Sequence, residues 1–595
     1  MRTITFCAAS LAVLLLPAAA RAQTVSYTVS IPKPTSSLLH VVMEIRGAQG
    51  AHADVEMPAW SPGSYNLHWA AKNVQQLSAQ DGNGRPLTAV MVDTSVWRIT
   101  PAAPAIRVSY DVYLGAPTVN DTHATIVGSR SLMFLVGRAP YPAPGVLTVT
   151  VEPPPGWKMA TGLDAIRPGV FTAADYDTLV DAPIEVSPEL EVVTFEHEQV
   201  TYEIVIHARH NYDTARLRDD VRKIVAEETR LMGGAPYRRY VFFFHGTNGG
   251  SGGLEHLNST QITFGRYSQD NAVAYHRFQF VIAHEFYHLW NVKRIRPEIL
   301  GPFDYARPQH TRNLYVSEGM TSYFAALSLV RSDVWDRQTF YDDLASNIQE
   351  LQTQPGHLLT SAEMSSWFTW NRPDNSSNVT ISYYTKGQIV GTLLDLELRG
   401  RTSNRKSLDD VFRQLLAEHG LPKPGFAEDG GFRGAVEKIA ASGSAAGDFG
   451  DFFTRYVAGL DELPYDEMLT RAGLKLEITR APATRSIGVT TRSDADRLTV
   501  DSVPPSGAGY DAGLMPGDVL VALDEERVVP ATFGARLNDR RAGAAIKLQL
   551  MRGDRLLTLF VTLQEERKPS YKIIEDPAAT PAARAMRDAR LRASQ

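Results

Sequence analysis

The chain has 595 residues, of which 44% are hydrophobic and 21% charged, with a formal net charge of −6 and a single cysteine. That mildly acidic balance argues against nucleic-acid binding, which needs a basic stripe, and one cysteine excludes a disulfide framework. At this length three or four domains of roughly 150 residues are expected, each able to bury its own core.

Residues 1–22 carry Arg2, an apolar run around Leu11 to Leu16 and then Ala20-Arg21-Ala22. This is the pattern of a secretory signal with a small-x-small cleavage site, so the mature chain should begin near Gln23 and be periplasmic or secreted. Two arginines and no acids leave with the signal, taking the net charge from −6 to −8. Cys7 leaves too, and stability then rests on burial and bound metal. No other apolar run approaches the roughly 20 residues needed to span a bilayer.

From residue 23 to 200 short alternating runs suggest an antiparallel β domain. Ile106, Val108, Tyr110, Val112 and Leu114 interleave with Arg107, Ser109, Asp111 and Tyr113 as in a half-buried strand. Trp60-Ser61-Pro62-Gly63-Ser64-Tyr65 is a turn segment. The domain reads as a scaffold from which one loop can line a cleft.

Residues 201–474 switch to helical periods and form a mainly helical domain. His284-Glu285-Phe286-Tyr287-His288 sets two imidazoles four residues apart with a carboxylate between them. On a helix this spacing puts both histidines on one face, where they can hold zinc and leave the glutamate beside the open position. Phe278, Val281, Ile282, Phe286, Leu289 and Trp290 recur at three- and four-residue intervals, which marks a buried helix. Lys293, Arg294 and Arg296 then suit its C-terminus, before Pro297 ends it.

A catalytic zinc takes three protein ligands. Val316-Ser317-Glu318-Gly319-Met320-Thr321 opens a second apolar helix running to about Val330, with Glu318 in its first turn as the third ligand. Glu298, beside Pro297 at a chain reversal, and Asp304, in a Gly/Pro-rich loop, are its rivals. Further on, Ser407 and Asp410 ahead of Val411, Phe412, Leu415 and Leu416 read as a capped amphipathic helix. His207, His245, His276 and His310 have no partner at metal spacing and read as structural or exposed.

HEFYH followed by LWNVKRIRP, the SEGMTSYF segment and the upstream GGLEH at Gly252 to His256 resemble the glycyl aminopeptidase family of the gluzincin zinc metallopeptidases. The resemblance extends over nearly the whole chain and implies one Zn2+ per chain and peptide substrates. It makes Glu285 the general base toward the attacking water. Gly252-Gly253-Leu254-Glu255-His256 is similar to the clan's G-x-M-E-N strand, which makes Glu255 the anchor for the substrate's free amine, with Gly252 and Gly253 beside it. The clan places a tyrosine two residues before a Lys-Gly pair as an oxyanion donor; in Ser382-Tyr383-Tyr384-Thr385-Lys386-Gly387 that register falls on Tyr384, with Tyr383 its neighbour. The family's preference implied here is for N-terminal Gly or Ala. Compared with the clan, the stretch between His288 and Glu318 is long and reads as a loop beside the active site.

After Leu474, Ile487-Gly488-Val489, Ala512-Gly513-Leu514 and Pro516-Gly517-Asp518-Val519-Leu520 resemble a PDZ domain over residues 475–567. That resemblance implies a groove for an extended peptide end, with Ile487, Gly488 and Val489 as the carboxylate-binding loop. The Ala/Arg-rich segment 568–595 reads as a mobile tail. The expectation is thus a multidomain α+β protein, an exported zinc aminopeptidase. Two alternatives stand beside it: a zinc endopeptidase in which Glu255 has another purpose, and a PDZ-based peptide-binding protein with a structural metal site.

Overall fold

A computed structural model describes residues 24–48, 50–136, 147–443 and 447–593. The signal segment 1–22 lies outside the described residues.

In the N-terminal unit, alternation drives the architecture. Along the strand Ala105–Tyr113, Ile106, Val108, Tyr110 and Val112 point into the core while the residues between them face outward. Eleven strands join into one twisted sheet, and a smaller three-stranded sheet packs beside it. The expectation of a purely antiparallel domain is corrected at one place, because Thr24–Ser30 runs parallel to Leu147–Glu152. Alternation fixes which face is buried and says nothing about strand direction.

The boundary expected at residue 200 also shifts. Leu190–His197 and Val200–His207 form one antiparallel hairpin, and this hairpin continues into the strands Arg239–Thr247, Ser259–Gly265 and Gly252–Glu255. The middle region therefore begins at about Leu190. The helix Thr214–Met232 crosses over between parallel strands; the Asp213 carboxylate accepts from the amides of Ala215 and Arg216 at its start. Gly246, on the central strand Arg239–Thr247, leaves room for Arg266 and Ala208, whose Cβ atoms a Cβ there would meet at 2.9 and 3.0 Å, and Gly252–Glu255 forms the sheet's last strand, paired on one side only.

Against this sheet lie the helices Ala272–Tyr287, Thr321–Arg331, Arg337–Thr353 and Tyr383–Arg401, around a continuous core that includes Phe242, Phe286, Tyr287, Phe324 and Phe412. The helix Leu408–His419 begins with the reciprocal Ser407–Asp410 cap that its sequence suggests. No helix among the described residues is long and apolar enough to cross a membrane.

The C-terminal part is an insertion between two paired strands. Leu474–Arg480 and Pro569–Glu575 run antiparallel, with Arg480 opposite Pro569. Between them stands a six-stranded sheet with its own core of Leu498, Val500, Leu520, Leu548, Leu550 and Val561. The mobile tail is a third correction: the strand Pro569–Glu575 and the helix Pro581–Arg590 dock on the middle region. Arg590 is 1% exposed, with Nε 3.3 Å from Asp395 Oδ2, and Arg587 Nη1 lies 3.1 Å from Glu575 Oε2. An Ala/Arg composition looks unable to bury itself, but these arginines find acids that are distant or hidden in the sequence.

Candidate metal centre and substrate cleft

His284 and Glu285 sit in the last turn of Ala272–Tyr287, with His288 at its C-cap. Asn271 caps the start by accepting from the amide of Ala274. The two histidines come together as the spacing requires: His284 Nε2 lies 3.0 Å from His288 Nε2. Glu318 Oε2 is 3.1 Å from His288 Nε2 and 3.5 Å from His284 Nε2. In a tetrahedral zinc site with bonds of about 2.0–2.1 Å the ligand atoms stand about 3.3 Å apart, so the donor triangle fits that ion. His288 Nδ1 donates to the backbone oxygen of Asn291 at 2.6 Å. A carbonyl only accepts, so the proton lies on Nδ1 and the Nε2 lone pair faces the triangle. Ser322 Oγ stands 3.3 Å from His284 Nδ1. Burial and the adjacent His288 push the His284 imidazole down to about 4, as suits a neutral ligand. Burial opposes the charge on Glu318, but the two imidazoles outweigh it and hold the carboxyl at about 2.

Glu318 arrives on a wide π-turn, Tyr315–Met320, ahead of the α-helix Thr321–Arg331, so the stretch that reads as that helix's first turn is π-wound. Such a turn leaves carbonyls poorly served, and Asn291 Nδ2 donates to the oxygens of Val316 (2.8 Å) and Ser317 (3.3 Å). Asn291 thereby ties the histidine segment to the glutamate segment, a role with no signal in the sequence. The rivals lie elsewhere: Glu298 Oε1 accepts from the amide of Glu428, and Asp304 Oδ1 from that of Ala306.

Close backbone approach sets the rest. A Cβ on Gly319 would stand 2.4 Å from Gly387 Cα, so the Glu318 turn and the Tyr383–Arg401 helix touch through two glycines. That crossing brings Tyr384 to the cleft, its ring 5.9 Å from the His284 ring. Burial and then Glu318 push its phenol well above the ordinary range. Tyr383 stacks on it at 4.8 Å, but its hydroxyl meets Thr369 Oγ1 at 3.1 Å.

Gly252 and Gly253 form the cleft wall beside Glu285. A Cβ on Gly253 would fall 2.4 Å from Glu285 Cδ, which is why this strand carries no side chain there. Glu255 is 3% exposed, and its Oε1 has no hydrogen-bond partner among the described residues. Its ligand atoms and those of Glu285 and His288 lie within 4.8 Å of one another. Burial raises the Glu255 carboxyl, against the pull of His288 and Lys293. Burial likewise pushes Glu285 well up, with His288 opposing and Glu255 adding to the rise.

One contribution was foreseen only as an unspecified loop, and a second had no signal in the sequence. The Trp60–Tyr65 loop of the N-terminal unit reaches the cleft: a Cβ on Gly63 would meet Glu255 Oε1 at 2.5 Å, and Tyr65 is buried nearby. Lys293, which reads as an ordinary helix-end charge, is buried and pairs at 2.7 Å with Asp181 Oδ1 of the N-terminal unit. Asp181 Oδ2 also accepts from the amide of Leu257, two residues past Glu255. The long loop after His288 does not line the cleft. Its Phe303 and Tyr305 pack on Trp60, and Tyr305 donates to Asp177 Oδ1. In the C-terminal module Ile487 is buried, Gly488 has φ +69°, and the Gly488 amide donates to Ser486 Oγ at 2.9 Å.

The metal triangle opens on a cleft of 450 Å³ whose far wall is Asp343, Asn347, Glu350 and Gln388. An open coordination side, a carboxylate base and a phenol in one cleft suit hydrolysis more than a closed structural site.

Residues 277–390 match a family described as M61 glycyl aminopeptidase, and residues 26–188 match the peptidase M61 N-terminal domain. A crystal structure described as an aminopeptidase N family protein from Idiomarina loihiensis is 25% identical, with a TM-score of 0.87; the match covers 94% of this chain and 99% of that one. An M1 zinc metallopeptidase from Deinococcus radiodurans is 14% identical over 75% of this chain and 96% of that one, with a TM-score of 0.45. No curated protein matches the chain by sequence. The chain is a metallopeptidase of the aminopeptidase type.

Proposed function

We propose that the protein is an exported aminopeptidase that binds one zinc per chain and removes N-terminal Gly or Ala from peptides. The observation that carries this reading is the buried Glu255 carboxylate, with an unpartnered oxygen, at the closed end of the metal cleft. A carboxylate there wants a cation, and the α-ammonium of a peptide supplies one.

His284, His288 and Glu318 would hold the metal. When bound, zinc supplies a Lewis acid that polarises the scissile carbonyl and lowers the pKa of water. The Glu285 carboxylate takes a proton from the attacking water and returns it to the departing amine nitrogen. The Tyr384 hydroxyl donates to the oxygen on which negative charge develops. Glu255 pairs with the ammonium group and so sets which bond lies over the metal. Gly63 abuts the Glu255 carboxylate and Tyr384 lines the same cleft, which supports a small first side chain. Discrimination by lost contact is worth only about 1–3 kcal/mol per methylene, so the Gly/Ala preference is graded.

We read the C-terminal module as a PDZ domain, with Ile487, Gly488 and Val489 beside a peptide-end groove. An edge strand, Thr490–Asp494, exposed along its length supports this. Export rests on the signal pattern in residues 1–22.

Glu285→Gln is expected to retain zinc while glycine release from glycine 4-nitroanilide falls by about 10²–10⁴; near-normal turnover would refute the mechanism. Comparing a Gly-led peptide with its N-acetylated form tests the anchor. Equal cleavage of the two defeats the aminopeptidase reading and favours an endopeptidase.

A further inference from the structure

Glu255 closes one end of the cleft, so a peptide whose amine rests there must extend the other way, past the metal. Gly252–Glu255 is the outermost strand of its sheet, and Gly252 and Gly253 face the cleft. From Glu255 back to Gly252 is three residues, about 10 Å of strand. Immediately beyond, Gly249, Gly250 and Ser251 border a second cavity of 330 Å³.

This second cavity differs from the first in charge. Arg266 and Arg277 line it, and no Asp or Glu does. Arg277 borders both cavities. It is an exposed residue of the metal-binding helix, seven positions before His284 and so on the same face, about 10.5 Å along the axis. Among the described residues no carboxylate lies within salt-bridge reach of Arg277; its guanidinium rests 5.7 Å over the Phe280 ring. The nearby acid on the opposite wall, Asp343, is engaged by Gln388 Nε2 at 2.6 Å. Arg266 is held by Asn248, whose Oδ1 accepts from Nε at 2.9 Å, and its guanidinium lies 5.0 Å from the Tyr267 ring centre.

We propose that this second cavity is a subsite for the free α-carboxylate of short peptides, with Arg277 as the anchor. Two lengths are comparable: about 10 Å of strand from Glu255 back to Gly252, and about 10.5 Å of helix axis from His284 back to Arg277. Three extended residues span at most about 10–11 Å, so with the reach of the arginine side chain the fit is to tripeptides and tetrapeptides. The enzyme is then a processor of short peptides, held at both charged ends, rather than a trimmer of long chains. Planar guanidinium groups suit a carboxylate by paired hydrogen bonds. This inference rests on the aminopeptidase reading.

The test compares glycyl-alanyl-alanine with its C-terminal amide. Wild-type enzyme is expected to favour the acid about tenfold in kcat/KM, the value of one charge-assisted hydrogen bond, with the difference in KM. In Arg277→Gln the acid-to-amide ratio should fall toward one, with Arg277→Lys between the two. Equal wild-type kcat/KM for acid and amide overturns the proposal, and needs no variant to fold. A ratio unchanged in Arg277→Gln also overturns it. Release of glycine from the amide alone reports the aminopeptidase reading, because that substrate has no carboxylate; its absence sinks the earlier reading instead.

Discussion

Glu285 rests against bare backbone. The Cβ that alanine would place at position 253 meets Glu285 Cγ and Cδ at 2.4 Å and Oε1 at 2.5 Å. Those atoms are the reactive end of the side chain, so a swing that relieves the clash carries the base off its water. A displacement of about 1 Å in a catalytic group costs on the order of 10²-fold. Gly253→Ala is therefore expected to lower kcat by about that factor with zinc content intact. Steady-state kinetics beside metal analysis checks it, and an unchanged kcat means that Glu285 has more room than the contact implies. At this scale the sequence was most legible for the ligands, since His284 and His288 announce themselves by spacing. Gly63, Asn291 and Asp181 carried no comparable signal, because each acts through a partner more than twenty residues away in the chain.

Elements are held in register by a few buried polar ties. Asp181 follows the short helix Tyr176–Val180 of the N-terminal unit and meets both Lys293 Nζ and the Leu257 amide. It fastens the segment after the metal helix to the strand that presents Glu255. Burial alone would raise the Asp181 carboxyl, but Lys293 and then His256 outweigh it and hold it at about 2. That is below the unfolded value of about 3.9, so its stabilisation is full above about pH 4 and is lost as pH falls toward 2. Asp181→Asn leaves the buried Lys293 unpaired and should cost about 3 kcal/mol. Thermal unfolding at pH 7 should show the drop, and the gap between variant and wild type should narrow on acidification through that window. A gap independent of pH would mean that the pair is not ionic.

On the scale of the whole molecule, the cleft belongs to two units and the C-terminal module to neither. Its ends leave adjacent strands, with Arg480 opposite Pro569, so joining them across a short turn should not disturb the rest. A chain lacking residues 482–567 is expected to keep glycine 4-nitroanilide turnover within about twofold, because Arg587 and Arg590 still dock behind the metal helices. Loss of soluble, zinc-loaded protein would show that the module stabilises the fold. The sequence by itself determined the local chemistry: two imidazoles and a carboxylate on one helix face, a capped helix at Ser407, and alternating strands, because periodicity and spacing are properties of neighbouring residues. It also set the order of the parts. Tertiary structure alone decided the closed end of the cleft, the burial of Lys293 and Arg590, the parallel strand pair and the docked tail. Each depends on which distant groups meet, and whether a charge or a glycine is surface filler or part of a site is fixed only by what lies opposite it.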